Sequence, residues 1–461
     1  MNSEVRERIP SEGGRPARRE ENGRRPKKHP EKRPENRSES GSEAERQPKA
    51  KRLPERSRAV VKRDEQTALD TAPKRDASQQ KPEYVRIKTS PDRILIVLIL
   101  ALVSIGSIIV FSASYPYAIS KGFDSYYFVR RQVIFVALGL VGMTVAMRIP
   151  YDKYKKLAYV IYGFAMVLLI VVLVFGVSEG EAKRWIKVPG IGMTIQPSEI
   201  MKIGIILMLS AYIGKYAEYI RGRNGSLKLR FLYGTVYPAF IIFPVLALVL
   251  LEKHLSGTII LFMISMIVLF LGGTNILMTG GLYGSAGIAA AAMYLMMNPY
   301  ALKRITTYGN ENADILSDKW QTTQGLYAIG SGGLFGLGIG QSRQKYSYVS
   351  QPQNDFIFTI WCEETGYIGA LFVIALFMAL LFRGFTVARR APDVFSSLVV
   401  YGIMSHITLQ AILNIAVVTD SIPNTGISLP FFSYGGSSLI MLMFEMGIVL
   451  SVSRHSRQQK L

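Results

Sequence analysis

Three acids stand near the start of an otherwise apolar stretch, QPQNDFIFTIWCEETGYIG, at residues 351–369. Asp355 comes first, and Glu363 and Glu364 follow about two helical turns later. A carboxylate inside a bilayer is costly, so such side chains are expected to face a protein interior or a wet cavity. At the rim of a cavity, a carboxylate can act as a general base that takes a proton from an attacking hydroxyl.

Each of these acids also has a purely structural interpretation. Asp355 can cap a helix by accepting a backbone N–H, and an acid there also meets the positive end of the helix dipole. On a helix, Asp355, Thr359 and Glu363 would form one stripe because they are four residues apart. Glu363 and Glu364 lie deeper and are expected to pair with a buried Lys or Arg. The sequence alone leaves both interpretations open.

A second polar cluster lies in RWIKVPGIGMTIQPSEIMK, which begins at Arg184. Glu199 and Lys202 are three residues apart and are predicted to pair on one helical face. Arg184 and Lys187 flank Trp185, whose structural alternative is an aromatic anchor at the membrane interface. Cations beside an aromatic ring also suit an anionic lipid headgroup.

Two further segments combine polar residues with close packing. His406, Gln410 and Asn414 recur every four residues, and the simplest expectation is that they form hydrogen bonds between helices. The segment NTGISLPFFSYGGSS contains Pro430, which suits the first turn of a final helix. The segment WQTTQGLYAIGSGGLFGLGIGQS is rich in glycine, which permits tight turns and close approach of another backbone.

Several kinds of chemistry lack their residues in this sequence. The four histidines are scattered, and there is no G-x-x-x-x-G-K-[ST] phosphate loop, no G-x-S-x-G elbow and no Cys/His dyad. The single cysteine, Cys362, excludes an internal disulfide. These absences argue against ATP-driven transport, metalloprotease chemistry and serine hydrolysis.

The chain has two parts of different composition. Residues 1–93 hold 26 of the 54 Lys and Arg residues together with 17 acids and almost no aromatics. Such a composition cannot bury enough apolar surface to fold, so residues 1–88 are predicted to be a disordered basic tail. Without interleaved aromatic side chains, the tail is expected to lie near anionic lipid rather than to bind nucleic acid.

The second part predicts an all-α fold, a polytopic membrane helical bundle. Its apolar runs have the length of a bilayer crossing, and helices satisfy all their backbone polar groups inside lipid. About ten spans are predicted, at 93–113, 131–147, 157–177, 197–214, 232–251, 255–273, 275–297, 355–382, 394–418 and 430–453. The membrane domain is therefore 93–453, followed by a short tail at 454–461.

The distribution of basic residues predicts the orientation in the membrane. The tail and the loop 215–231 are rich in Lys and Arg, which favour the cytoplasmic side. Ten spans then place both termini in the cytoplasm. The long loop 298–354 lies outside, and loops of this length are usually functional.

Taken together, four segments resemble the SEDS family (shape, elongation, division and sporulation), whose members are FtsW, RodA and SpoVE. These are RWIKVPGIGMTIQPSEIMKIGI, QGLYAIGSGGLFGLGIGQSRQKYSYV, NDFIFTIWCEETGYIGALF and NIAVVTDSIPNTGISLPFFSYGGSSLI. The resemblance implies a ten-span bundle in the bacterial cytoplasmic membrane that polymerises lipid II into glycan strands outside the membrane. It places the family's catalytic Asp on Asp355, and it implies a class B penicillin-binding protein, a transpeptidase, as partner.

The resemblance and the chemistry together predict a substrate-binding set within these segments. Its members are Arg184, Trp185, Lys187, Glu199, Lys202, Gln324, Arg343, Lys345, Glu363, Ser433 and Tyr434. The cations would balance a lipid pyrophosphate leaving group, with a divalent cation, Mg²⁺ or Mn²⁺, as an optional companion. The spans 355–382 and 394–418 are expected to dock the transpeptidase helix through small lipid-facing residues, namely Gly366, Gly369, Ala370 and Ser405.

The sequence departs from the family pattern at two places. The segment EKHLSGT at 252–258 lacks the usual Pro-Asp-x-Gly, and residues 349–351 replace an upstream Leu-Pro-Glu. Two rival functions remain open. A flippase for the lipid-linked precursor would need polar residues at several depths, and a non-catalytic scaffold would not need Asp355 to ionise. Division, elongation and sporulation roles are not separated by these motifs.

Overall fold

The computed structural model describes residues 84–88, 90–179, 182–187, 194–222, 226–308 and 319–459. In this part of the chain twelve helices follow one another, and ten of them are long and apolar enough to cross a membrane. The helices are α1 Arg93–Ser120, α2 Tyr127–Arg148, α3 Tyr151–Phe175, α4 Pro197–Ile220, α5 Leu227–Leu251, α6 Leu255–Gly272, α7 Ile276–Met297, α8 Pro299–Thr307, α9 Trp320–Ser331, α10 Ile357–Arg389, α11 Val394–Val418 and α12 Gly436–Ser453. The two short helices, α8 and α9, lie in the connection between α7 and α10.

The predicted number of spans and the all-α class are confirmed, although single boundaries differ by up to about seven residues, as at the ends of α1 and α10. The predicted start of the last helix at 430 is wrong because residues 430–435 form turns before α12 begins. Phe431 has a φ of 64°, and the backbone N–H of Leu429 donates to Ser433 Oγ at 2.8 Å. These local bonds stabilise a turn in place of the first helical turn expected at Pro430.

Short strands occur at both ends of the bundle. Strand β1, Tyr84–Lys88, pairs antiparallel with β5, His455–Gln459. Residues 84–88 were expected to end the disordered tail, but a partner more than 360 residues away cannot be seen in local sequence. The residues before 84 lie outside the described part. At the other end, β2 Val177–Glu179, β3 Ala182–Lys187 and β4 Thr194–Ile195 form a small sheet between α3 and α4.

Helices α4, α11 and α12, which carry Lys202, His406 and Glu445, are among the most buried of the ten spans. About two thirds of the central window of α11 and of α12 is buried (67%), whereas only 11% of α7 is buried. Helix α12 packs closely on α2 through glycine, since a Cβ at Gly447 would lie 2.4 Å from the carbonyl oxygen of Met143. Ten spans place the start of α1 and the end of α12 at one end of the bundle and the connection between α7 and α10 at the other.

Candidate active site

Asp355 lies immediately before α10 and is half-buried. Helix α10 begins at Ile357, its N-cap position is Phe356, and it has no side-chain cap hydrogen bond. The N-cap thus falls one residue after Asp355, and of the predicted stripe only Thr359 and Glu363 lie on the helix. Asp355 occupies a turn at the end of the bundle opposite the start of α1 and the end of α12.

Asn414 fixes the backbone around Asp355. Its Nδ2 donates to the carbonyl oxygen of Asp355 at 2.7 Å and to that of Ile427 at 2.7 Å. Gly426 has a φ of 68°, and a Cβ built there would lie 3.3 Å from Asp355 Oδ2. The NTGIS segment therefore passes directly beside the carboxylate, and α11 holds both.

Two amide side chains near this turn were missed as candidates. Gln321 on α9 donates through Nε2 to the carbonyl oxygen of Ser350 at 3.1 Å, and its Oε1 lies 3.5 Å from Asn424 Nδ2. Gln321 lies in the WQTTQ motif and Asn424 in the NTGIS motif, so their position in these motifs could have indicated them as candidates. Their contacts join α9, the turn before α10 and the NTGIS segment next to Asp355.

A buried ion pair lies on α4. Lys202 Nζ is 2.8 Å from Glu199 Oε1, and both side chains are buried, so the predicted pairing is confirmed. Lys202 also donates to Gln410 Oε1 on α11 at 3.2 Å. Ser438 on α12 donates to Glu199 Oε2 at 3.3 Å. Three central helices are thereby joined at the level of this pair.

The polar stripe on α11 forms the predicted interhelical hydrogen bonds. His406 contacts Gln410 through Nε2 at 2.9 Å and Glu445 on α12 through Nδ1 at 2.9 Å. Gln410 Nε2 donates to the carbonyl oxygen of Ser428 at 3.1 Å. With Asn414 one turn further on, the stripe runs from the buried ion pair to Asp355.

Glu363 anchors the segment that follows the glycine-rich loop. Its carboxylate accepts hydrogen bonds from the backbone N–H groups of Arg343 at 2.9 Å and Gln344 at 3.3 Å, and from Ser342 Oγ. The side chain is fully buried. The predicted pairing of Glu363 with a cation is therefore wrong, because backbone donors take that place.

Glu364 and Lys345 form the second buried ion pair, which confirms the expected pairing for Glu364. Lys345 Nζ lies 3.1 Å from Glu364 Oε1 and also donates to Ser112 Oγ at 3.0 Å and to the carbonyl oxygen of Gly340 at 2.6 Å. All three ammonium protons are thus directed at protein acceptors, and the side chain is buried. This geometry shows that Lys345 joins the loop to α10, and its contact with a pyrophosphate stays a prediction.

The glycine-rich loop forms hydrogen bonds with the backbone of α10 where that helix is interrupted. Gly366 has a φ of 69°, which interrupts the helix. The backbone N–H of Tyr367 donates to the Gly333 carbonyl at 2.9 Å, and that of Leu337 donates to the Glu363 carbonyl at 2.9 Å. A Cβ at Gly336 would lie only 2.2 Å from the Glu364 carbonyl oxygen. The backbone N–H and C=O groups that the break leaves without helical partners therefore bind the loop, because the hydrocarbon of a membrane offers no hydrogen-bond partners.

The unusual 252–254 turn is packed against the start of α4. Arg184 donates to the carbonyl oxygen of Lys253, and His254 Nδ1 lies 3.3 Å from Ser198 Oγ. Burial raises the pKa of Glu252 to about 8, and the nearby positive charge of Arg184 opposes that rise. Burial also lowers the pKa of His254, so the imidazole is neutral at pH 7.

The remaining predicted residues fall into two groups. Lys187 and the side chain of Arg343 are exposed at the end of the bundle that carries Asp355, and Trp185 is partly buried in β3. Gln324 and Ser433 are buried and Tyr434 is partly buried, and their role in substrate binding stays a prediction. The ring of Tyr434 lies 5.0 Å from that of Phe128, and burial raises its pKa against the effect of Arg131.

A bundle of ten membrane-crossing helices with a half-buried carboxylate at one end defines a multi-pass membrane protein with a candidate active site at a membrane surface. Residues 92–458 match a family model described as "Cell cycle protein", which covers FtsW, RodA and SpoVE. The chain therefore belongs to the FtsW/RodA/SpoVE family, the SEDS family.

Individual relatives agree with this assignment. The chain is 39% identical to stage V sporulation protein E of Bacillus subtilis, over 80% of this chain and 99% of that protein. It is 35% identical to a probable peptidoglycan glycosyltransferase FtsW of Trichlorobacter lovleyi, over 78% and 93% of the two chains.

Solved structures match along nearly their whole length. The crystal structure of the rod shape determining protein RodA of Thermus thermophilus has a TM-score of 0.57 at 28% identity, covering 79% of this chain and 97% of its own. A chain from a structure described as "Structural coordination of polymerization and crosslinking by a peptidoglycan synthase complex" has a TM-score of 0.64 at 27% identity, covering 79% and 98%.

Proposed function

We propose that this protein is a peptidoglycan glycosyltransferase that polymerises lipid II into glycan strands at the outer face of the cytoplasmic membrane. Its family and its FtsW relatives support this activity. The observation that carries the proposal is the half-buried Asp355, held by Asn414 beside Gly426. Polymerisation of lipid II by the purified protein is the experiment that tests it.

The proposed reaction is a single glycosyl transfer. A sugar hydroxyl attacks the anomeric carbon of the donor, and the bond from that carbon to the lipid pyrophosphate breaks. Asp355 accepts the hydroxyl proton as the new glycosidic bond forms. A glycosidase needs a second carboxyl group to protonate a poor leaving group. A pyrophosphate leaves as a stable anion, so one carboxylate and nearby positive charge suffice.

The positive charge is proposed to come from the basic residues that face outward at this end. Arg184, Lys187 and Arg343 remain candidates because they lie in the connecting segments between spans. Lys202 is the candidate at depth, where it is already joined to Glu199 and Gln410. Positive groups in a dry site stabilise charge that develops on the leaving group.

A divalent cation fits this site only with ligands from the substrate. Among the described residues no group of three His, Cys, Asp or Glu side chains could hold a metal ion. Mg²⁺ commonly binds one or two carboxylates together with substrate phosphates. We therefore propose that any Mg²⁺ or Mn²⁺ is held mainly by the pyrophosphate, while Asp355 acts as the proton acceptor and not as a metal ligand.

The proposed orientation has both termini in the cytoplasm, and it yields a labelling prediction. A cysteine introduced at Ser350, in a Cys362→Ala background, should react with a membrane-impermeant thiol reagent in intact spheroplasts. Ser350 is exposed and lies in the connection that carries the site, whereas Cys362 is buried. Labelling that appears only after the membrane is opened would reverse the orientation. A Lys228→Cys variant in the same background is the matched control for the opposite side.

The transpeptidase is proposed to contact α10 and α11, but through different residues from those predicted. Gly366, Ala370 and Ser405 are buried in the bundle, so they do not face lipid. The small residues serve internal packing, as the loop at Gly366 shows. Large apolar side chains face outward instead, with Leu371 47% and Ile412 57% exposed.

This surface gives a prediction for partner binding. Leu371→Trp and Ile412→Trp should each reduce copurification of the class B penicillin-binding protein by about tenfold, because a bulky ring disrupts close helix packing. Val167→Trp on α3 is the matched control, since Val167 is 56% exposed on another span. If both variants retain the partner as well as the control does, the docking surface lies elsewhere.

A flippase remains the second candidate function, and one observation favours it. Glu199, Lys202, His406 and Glu445 form a buried polar network that reaches the middle of the bundle. These groups are paired with one another, which is also what a rigid core with no transport path requires. We therefore propose that the network holds in place the helices that position Asp355.

A further inference from the structure

A groove with a cavity volume of about 620 Å³ lies at the end of the bundle where α1 begins and α12 ends. It is formed by the start of α3, the last turns of α4 and the start of α11. Three lysines line it, Lys155, Lys156 and Lys215, together with a single acid, Asp393. The site around Asp355 is at the opposite end, so the groove has no part in the proposed glycosyl transfer.

Among the described residues that line the groove, Asp393 is the one acid, and it is already paired. Lys155 Nζ contacts Asp393 Oδ2, and Asp393 Oδ1 caps α11 by accepting the backbone N–H of Ser396 at 2.8 Å. Burial alone would raise the pKa of Asp393, but the hydrogen bonds from Lys155 and Ser396 hold it below its usual value. Asp393 therefore neutralises one lysine and no more.

The other two lysines leave the groove with a net positive charge. In the described part of the chain neither Lys156 nor Lys215 forms an ion pair, and both are exposed. Lys215 Nζ lies 5.0 Å from the centre of the Tyr216 ring. Tyr216 has a non-helical backbone (φ −108°, ψ 19°), so α4 changes its geometry next to Lys215. Two cations at the mouth of a cavity match one phosphate group.

The groove continues into an apolar surface. Tyr159 lines it and is 52% exposed, and the next residue along α3, Val160, is 64% exposed. Ala211 and Phe395 supply further apolar wall. On a membrane-spanning helix such exposed side chains face acyl chains. A ligand that fills the groove can therefore place an anionic group at the lysines and hydrocarbon along α3.

We propose that this groove binds the headgroup of an anionic phospholipid. Basic pockets between membrane helices at the cytoplasmic side are suited to such headgroups. Only the choice of the inner leaflet rests on the proposed orientation. The continuous apolar surface favours a phospholipid over free phosphate, because a soluble anion would leave the hydrocarbon side of the groove without a partner.

The test is lipid retention by the purified full-length protein, measured by native mass spectrometry with phosphatidylglycerol and with phosphatidylcholine as probes. The double variant Lys156→Gln/Lys215→Gln should bind phosphatidylglycerol about tenfold more weakly, while its weak binding of phosphatidylcholine is unchanged. The control, Lys153→Gln/Lys228→Gln, removes two exposed charges from the same end of the bundle without touching the groove. It should retain phosphatidylglycerol as the unmodified protein does.

Two results would overturn the proposal. One is equal phosphatidylglycerol retention by the two double variants when both melt at the temperature of the unmodified protein. The other is displacement of the lipid by millimolar inorganic phosphate, which would identify a site for free phosphate. If the groove variant melts early, Lys156→Glu alone serves as a second variant, with the same expected loss. Retention is measured without polymerisation, so its failure is distinct from failure of the proposed enzyme activity.

Discussion

Asp355→Asn is expected to reduce lipid II polymerisation by roughly 10²–10⁴-fold, because the amide cannot accept the proton of the attacking hydroxyl. The substitution keeps the shape of the side chain. The backbone carbonyl of Asp355, which accepts from Asn414, is unchanged. Expression, melting temperature and binding of the transpeptidase should therefore remain near those of the unmodified protein. The measurement is the initial rate of glycan strand formation by purified protein.

Two controls separate a general base from a merely acidic surface. Asp420→Asn removes another acid at the same end of the bundle and should leave the rate unchanged, since Asp420 is exposed in a separate turn. Asp355→Glu should also be slow, because an extra methylene displaces the carboxylate by about an ångström. Near-normal polymerisation by Asp355→Asn would end the assignment of the base.

Lys345→Met is expected to destabilise the protein by about 3–5 kcal/mol, the usual effect of leaving one charge of a buried ion pair without its partner. Glu364 would keep a charge in a fully buried position, although Ser112 and the backbone N–H of Ser342 still donate to it. The segment after the glycine-rich loop would lose one of its attachments to α10, although Glu363 still binds it, so polymerisation should fall as well. Thermal unfolding in detergent and the polymerisation rate are the two measurements.

The double variant Lys345→Met/Glu364→Gln distinguishes a structural lysine from a substrate-binding one. It removes both charges of the pair, so most of the lost stability should return. If Lys345 only anchors the loop, the polymerisation rate should return with the stability. Recovered stability with activity still absent would instead place Lys345 at the pyrophosphate and contradict the structural role.

The sequence was sufficient for the features that are local or periodic. Runs of apolar residues predicted ten spans, and the spacing of Glu199 and Lys202 predicted a pair that the structure contains. The stripe of His406, Gln410 and Asn414 likewise indicated hydrogen bonds between helices. In the pair and in the stripe, the side chains lie three or four residues apart on one helix, so the helical period brings them to one face.

The features that the sequence did not reveal depend on distant partners. The break at Gly366 is stabilised by backbone groups of the loop at 333–337, about thirty residues earlier in the chain. Glu363 binds backbone N–H groups, and these cannot be identified from the sequence because nearly every residue has one. The pairing of β1 with β5 joins the two ends of the described chain. Local sequence patterns cannot predict such contacts, because the partner of each strand or loop lies far away in the chain.

The structure adds contacts within the protein to several of the predicted residues. Lys345 and Glu363 attach the segment after the glycine-rich loop to α10, and Gly366, Ala370 and Ser405 are buried in the bundle. Asp355 remains at a half-buried turn that is held by α11 and bordered by Gly426. The proposed chemistry therefore depends on one carboxylate and on the cations of the outer segments.

The central claim is tested most directly by incubating the purified protein in detergent with lipid II as its only substrate, with and without its transpeptidase, and sizing the products on a gel. Detergent micelles have no two sides, so a transporter cannot produce a signal. The account predicts glycan strands of many disaccharides that are absent with Asp355→Asn and that lysozyme digests. Unchanged lipid II with every transpeptidase supplied, together with protein-dependent movement of lipid II across proteoliposomes, would contradict the account and favour the flippase.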